Sequence, residues 1–276
     1  MKLAIFNDDR LGVVVDDQTV VDVTSALPEH DQGLGAGYWV RLCRDFDSLK
    51  DAITAATATG SRHALDSVEL RAPVLNPTKV IAAASNYTEH VEEMSNRGLP
   101  EWMLTSDFFL KAPSSITGGG EIVLPELEAE IHYECELAFI IGKGGKDIPV
   151  ESALEHVLGW TILLDITERG SGDRSRRKSY DGFTPIGPWV VTADEVSSWE
   201  DLPIVMHLNG VVRQDVRAGD MIVSVPQLIS NISRVMTLVP GDVVTTGAPP
   251  GVGKIEPGDQ IVATIGGVGQ LTVNVG

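Results

Sequence analysis

The sequence predicts an α+β fold that is mostly β, with a small N-terminal β/α domain over residues 1–72 and a larger catalytic domain over 73–276. Three observations lead there. Short β-branched runs recur between turn residues along a chain that carries 28 Gly and 15 Pro. Few stretches keep apolar residues at helical spacing. A linker, Arg71-Ala-Pro-Val-Leu-Asn-Pro77, separates the first helical stretch from an apolar run that starts at Val80.

In chain order, residues 2–6, 11–15 and 20–23 read as a small β meander, with Asp-rich turns such as Asp16-Asp17 between its strands. Leu42, Phe46, Leu49 and Ile53 then share one helical face ahead of the Gly60-Ser61 break. Beyond the linker, strands are expected at 80–84, 122–124, 134–141, 161–165, 189–192, 204–208, 243–246, 260–265 and 271–275. Helices are expected at 87–97, at 150–157 after Pro149, and at 225–236, where Pro226 suits an opening position. No repeat, heptad or low-complexity tract is present, which excludes solenoids and coiled coils.

Composition narrows the function classes. With 276 residues, 43% of them hydrophobic, the chain can bury a sizeable core. The 21 basic and 39 acidic residues leave a net charge of −18, and no row of Lys and Arg can neutralise a run of phosphates. Nucleic acid and anionic membrane surfaces are therefore excluded as partners. The N-terminus turns acidic at Asp8 and Asp9 and has no signal-type apolar region, and no stretch approaches the roughly 20 apolar residues of a membrane span, so a cytoplasmic protein is expected. Cys43 and Cys135 are too few for a disulfide framework or a Cys-rich zinc site. Metal chemistry falls to oxygen and imidazole ligands.

Glu134-Cys135-Glu136 opens the apolar run Leu137-Ala-Phe-Ile-Ile141, and strand alternation points Glu134 and Glu136 to one face. Asp165 closes a second apolar run, Trp160-Thr-Ile-Leu-Leu. Solvated strand ends are one reading. Three acids in apolar β contexts also suit a hard divalent cation, which neutralises them and leaves about half an octahedron for water and substrate. His90 and Glu93 stand at i, i+3 on one helical turn, where the carboxylate can orient the imidazole as a general base; the alternative is a solvated acidic helix. Lys178 lies in the chain's one basic cluster, Arg174-Ser-Arg-Arg-Lys-Ser-Tyr180, either a solvated loop or a patch for an anionic substrate. The Gly/Pro loop from Pro240 to Gly253 can present backbone N–H groups to an anion, and with no P-loop or G-x-G-x-x-G arrangement nucleotide cofactors are disfavoured.

Several stretches in order resemble the fumarylacetoacetate hydrolase family. They are Ser85-Asn-Tyr-x-x-His90-x-x-Glu93, Phe109-Leu-Lys-Ala-Pro-Ser-Ser115, Tyr133-Glu-Cys-Glu-Leu-Ala138 and Gly159-Trp-Thr-x-x-x-Asp165, followed by Arg177-Lys-Ser-Tyr-Asp-Gly-Phe183, Asn209-Gly-x-x-Arg-Gln214 and Gly241-Asp-Val-Val-x-Thr-Gly247. The resemblance implies a mixed β-sandwich roll, a homodimer, and Mg2+ or Mn2+ on Glu134, Glu136 and Asp165. It implies catalytic roles for His90, Glu93 and Lys178, and substrate contact at Tyr87, Lys111, Arg169, Arg174, Gly247 and Ala248. Three departures bear on the substrate. After Asp165 the family often runs S/T-x-Arg-Asp and then Gln, whereas Thr167-Glu168-Arg169-Gly170-Ser171 here has neither that Asp nor a nearby Gln. Ser85 stands where many members carry Arg, and Ala248 where many carry Thr, so a 2-oxo acid grip would need Arg174 or Arg176 instead.

The activity implied is hydrolysis of a carbon-carbon bond in a 1,3-diketo acid of the acylpyruvate or fumarylacetoacetate type, through a metal-stabilised enolate, a step of aromatic catabolism whose partner is a small carboxylic acid. An isomerase or decarboxylase acting on a hydroxymuconate-type or oxaloacetate-type acid is the second reading, and a non-catalytic metal-binding relative the third. The segment from Tyr87 to Thr105, rich in charge and carrying Gly98-Leu-Pro100, is expected to pack weakly and to order over substrate.

Overall fold

The strand Cys135–Ile141 shows how the core is organised, because it is buried along its whole length. Leu137, Phe139 and Ile141 enter one apolar cluster, and Ala138 and Ile140 enter another on the opposite side. That is the period-two alternation of a strand covered on both faces, which explains its near-continuous apolar sequence. The computed structural model describes residues 1–33, 35–96 and 107–276, the side chain of Met94 apart.

Around this strand the described residues form an eleven-stranded sheet. From its middle to one edge it runs Thr184–Thr192, Val157–Leu164, Cys135–Ile141, Val243–Thr245, Val80–Ala83 and Phe108–Lys111. The N-terminal meander of Lys2–Phe6, Arg10–Asp16 and Thr19–Asp22 extends the same sheet, since Lys2 pairs with Val191 and Leu3 with Val190. Helix α1 (Gly37–Thr59) packs Trp39, Leu42, Cys43, Phe46 and Ile53 against one face of this sheet. A five-stranded sheet covers the other face, in the order Val211–Arg217, Pro203–Leu208, Gln260–Ile265, Gly269–Val275 and Gly120–Ile122. Its inward residues Ile204, Met206, Ile261, Ala263, Leu271 and Val273 join Phe139, Trp160 and Ile162 in one core. The result is the mostly β sandwich roll that the sequence implies. A three-stranded sheet of Thr167–Glu168, Ile131–Tyr133 and Gly253–Lys254 sits beside the ends of the acid-bearing strands.

Two helical expectations change. Residues 150–157 form a 3-10 segment, Val150–His156, and Val157 already belongs to the next strand. The buried side chains Ala153 and His156 lie three apart, matching the three-residue turn, and the β-branched and aromatic run that follows then takes over. The expected helix over 87–97 is helix α2 (Thr88–Ser95), with Tyr87 held in a β-bridge to Met221; Arg97 lies outside the described residues, as does the expected ordering segment from there to Thr105. Two further helices are α3 (Arg174–Arg177) and α4 (Val225–Val235), the latter opened by a capping box in which Ser224 and Gln227 exchange hydrogen bonds. Seven described strands escape the sequence reading, Phe108–Lys111, Ile131–Tyr133 and Val211–Arg217 among them. The last is an edge strand whose one fully buried residue is Gln214, so it carries no apolar alternation to read. Among the described residues no helix is long and apolar enough to cross a membrane.

Candidate active site

Strand ends bring the three acids together. Glu134 immediately precedes the Cys135–Ile141 strand, Glu136 lies two residues on, and Asp165 follows the neighbouring strand Val157–Leu164. Cys135 pairs with Leu164, and the Asp165 N–H donates to the Glu134 carbonyl at 2.8 Å, so the register itself aligns the acids. One oxygen from each lies within 4.8 Å of the others, and all three residues are buried.

Two of the acids are paired with cations. Lys178 Nζ donates to Glu134 at 2.7 Å and to Asp165 at 2.5 Å; Lys111 Nζ donates to Asp165 at 2.5 Å and to the Phe183 carbonyl at 3.0 Å; Arg169 Nη2 donates to Glu134 at 2.9 Å. No ion pair reaches Glu136 among the described residues, where its Oε2 accepts from Thr245 Oγ1 at 2.5 Å and from the Gly247 N–H at 2.7 Å. The electrostatics follow. Burial opposes ionisation of Glu134, yet Lys178 and Arg169 hold its carboxyl well below the usual carboxylate range. Burial, with the charges of Asp165 and Glu134 beside it, pushes Glu136 up to about 8. For Lys178 burial works against the charge, but Asp165 and the two glutamates outweigh it and keep the ammonium protonated. The same ammonium stands 4.9 Å from the centre of the Phe109 ring.

His90 is buried on α2, its Nδ1 3.5 Å from Glu93 Oε2, and burial lowers its pKa so that the neutral imidazole prevails near pH 7. Glu93 is itself held, because the Gly251 N–H reaches Oε1 at 3.2 Å and Oε2 at 3.4 Å. Gly251 is a junction. Its carbonyl accepts from the Tyr133 hydroxyl at 2.9 Å, its φ is +90°, and a Cβ there would stand 1.9 Å from the Arg213 carbonyl oxygen. Gly251→Ala is therefore expected to cost about 2–3 kcal/mol in chemical denaturation, the upper range for one strained backbone position, and to lower turnover by freeing Glu93.

Two buried amides complete the frame, and both sit in the stretches that carry the family resemblance without being singled out there. Asn86 Nδ2 donates to the carbonyls of Val223 at 2.9 Å and Thr246 at 2.8 Å, and its Oδ1 accepts the Val223 N–H at 2.7 Å. Gln214 Oε1 accepts from the Cys135 N–H at 3.0 Å while its Nε2 donates to the Pro249 carbonyl at 2.9 Å. They tie the start of α2 and the acid strand to the loop from Thr246 to Gly251.

A cavity of about 890 Å³ opens onto this cluster and is lined by Ser85, His90, Glu134, Arg169, Arg174, Lys178 and Ala248, among others. Of the residues expected to touch substrate, Arg169, Arg174 and Ala248 line it, and Tyr87, Lys111 and Gly247 do not. Tyr87 is fully buried, with its hydroxyl unpartnered among the described residues, Lys111 serves Asp165, and the Gly247 N–H serves Glu136.

The chain is similar to known proteins in sequence and fold. A profile of the fumarylacetoacetate (FAA) hydrolase C-terminal domain matches residues 79–276. Maleylpyruvate hydrolase of Aquipseudomonas alcaligenes is 40% identical over 287 residues, covering 100% of this chain and 99% of that protein. The crystal structure of maleylpyruvate hydrolase from Sphingobium sp. SYK-6 in complex with manganese(II) ion and pyruvate superimposes with a TM-score of 0.87 at 38% identity, covering 100% of this chain and 98% of that one. The 5-carboxymethyl-2-hydroxymuconate delta-isomerase of Mycobacterium smegmatis is similar at a TM-score of 0.77 and 32% identity, covering 100% and 99%. The chain belongs to the fumarylacetoacetate hydrolase family.

Proposed function

We propose that this protein is a divalent-metal-dependent hydrolase that cleaves the carbon-carbon bond of a 1,3-diketo acid of the acylpyruvate type. The observation that carries the reading is that Glu134 of the acid cluster, the buried Lys178 and a neutral His90 backed by Glu93 line one cavity, with Glu136 and Asp165 clustered behind Glu134. Similarity to two maleylpyruvate hydrolases over the full chain supports hydrolysis ahead of isomerisation, since the isomerase relative is less similar in both sequence and fold.

The acid cluster fits Mg2+ or Mn2+. Its donors are hard carboxylate oxygens, and Glu136, without an ion pair and raised by its neighbours' charge, is the acid that a cation would most relieve. Glu134, Glu136 and Asp165 would hold a divalent cation, which would supply Lewis-acid charge to a 2-oxo acid carbonyl. His90 takes a proton from water, whose oxygen adds to the distal carbonyl carbon of the acyl arm. Glu93, fixed by Gly251, stabilises the imidazolium. The bond between that carbon and the methylene then breaks, and its electron pair leaves with the pyruvate fragment as an enolate. Lys178 donates a hydrogen bond to the developing negative charge, and the methylene carbon takes up the proton that His90 removed from water, giving pyruvate beside the released acid and neutral His90 again. The test is product analysis: acylpyruvate with Mn2+ should yield equimolar pyruvate and carboxylic acid, and recovery of an isomer or of carbon dioxide instead would overturn the reading.

Metal uptake should be linked to pH. Glu136 must lose its proton to become a ligand, so Mn2+ affinity should rise as pH increases toward about 8 and level off above it. Titration calorimetry in buffers of different ionisation enthalpy should register close to one proton released per ion near pH 7. We further propose a homodimer, testable by light scattering, and a cytoplasmic location, which the two free, buried cysteines support.

A further inference from the structure

The Lys178 ammonium has three N–H donors and, among the described residues, uses two, on Glu134 at 2.7 Å and on Asp165 at 2.5 Å. No oxygen takes the third there. An aromatic ring stands beside this buried ammonium instead, with Nζ 4.9 Å from the centre of Phe109, and both residues line the cavity of about 890 Å³. Phe109 joins none of the apolar clusters of the described residues, whereas its neighbour Phe108 packs against the largest of them, so the ring is not there to fill the core. The fold builds the contact from two sides. Phe109 lies on the edge strand Phe108–Lys111, where it pairs with Ala82. Strand alternation puts Phe109 and Lys111 on one face, so the cation that neutralises one oxygen of Asp165 and the ring beside Lys178 come from the same side of one strand. The Ala112 N–H donates to Ser179 Oγ at 2.8 Å, which ties the residue after Lys178 to the end of that strand and fixes the separation of ring and ammonium.

We propose that Phe109 is a positioning residue for Lys178. Attraction between the ammonium and the negative face of the ring holds Nζ at the cavity wall against the pull of Glu134 and Asp165, and so keeps the third N–H on offer to an enolate oxygen. A carboxylate or hydroxyl in the place of the ring would accept that N–H and withhold it, and an aliphatic side chain would leave the ammonium to its acids alone. The enolate rests on the hydrolase reading above, whereas the positioning is a statement about Lys178 that binding can read.

The experiment replaces Phe109 by mono-, di- and trifluorinated phenylalanine, which keep the shape of the ring and withdraw electron density from its face step by step. Calorimetry of the Mn2+-loaded protein with oxalate, a planar dianion that carries the charge of the pyruvate enolate, reads the third N–H. Oxalate affinity should fall in order along the series, by roughly 3- to 30-fold at its end, the range of a cation–π contact, and Phe109→Leu should lose as much. Mn2+ affinity should stay at the wild-type value. In Lys178→Met the series should be flat, because no cation is left to feel the ring. A flat series with Lys178 in place, a fall matched by an equal loss of Mn2+ affinity, or no oxalate binding by the wild type would overturn the proposal. So would a rise with fluorination, the sign expected if the ring touched the dianion itself. Graded loss in a protein that cleaves no acylpyruvate would keep the positioning role and remove the hydrolase reading, and cleavage with a flat series would do the reverse.

Discussion

Glu136→Gln is expected to weaken Mn2+ binding by more than ~100-fold, beyond the range for loss of an outer-sphere partner, and to abolish carbon-carbon cleavage with it. The substitution keeps the shape of the side chain and removes a buried charge that no cation pairs among the described residues. Its effect on the metal-free protein should have the opposite sign. A carboxyl raised in the folded state from its ordinary 4.5 to about 8 favours folding fully below the ordinary value and loses that contribution as pH rises through the raised one. Metal-free wild type should therefore lose stability between about pH 4.5 and 8 relative to Glu136→Gln, so that above pH 8 the variant melts higher while near pH 4 the two converge. Titration calorimetry and thermal melts across that window check both halves. Undiminished Mn2+ affinity in the variant would remove Glu136 from the metal site.

His90→Ala should lower turnover of an acylpyruvate by roughly 100-fold or more, the range of general base catalysis, while leaving Mn2+ affinity unchanged. Burial keeps the imidazole neutral to lower pH than its ordinary 6.5, so the acid limb of kcat/KM in the wild type should fall below that value. Exchange of solvent deuterium into a bound 2-oxo acid separates the two halves of the chemistry. It should survive His90→Ala, because enolate formation calls on the cation and Lys178, and it should drop sharply in Lys178→Ala. Hydrolysis intact without His90 would mean that the water is activated elsewhere.

Much of the site could be read from local patterns because its parts are local. An i, i+3 pair on a helix needs no tertiary knowledge to place His90 beside Glu93, and strand alternation alone predicts that Glu134 and Glu136 share a face. Asp165 was legible for a similar reason: an acid that ends a continuous apolar run sits where a buried strand stops. Lys178 depends on more than local pattern. Its basic neighbours suggest a solvated loop, and only the fold turns it inward from the end of α3 to bridge Glu134 and Asp165.

What the sequence by itself determined, then, is the mostly β class, the central buried strands and the identity of the acids and the dyad, all set by periodicities of two or three to four residues along the chain. Tertiary structure alone decided which of these groups meet. Glu93 and Gly251, 158 apart in the chain, join through one N–H, as do Cys135 and Gln214, 79 apart. It also decided that Lys111 neutralises Asp165 instead of reaching the cavity, and that Gly247 serves Glu136. The physical reason is common to these cases. A buried polar group must find a partner wherever the packed strands deliver one, and that partner is fixed by sheet order and register, which no local periodicity encodes.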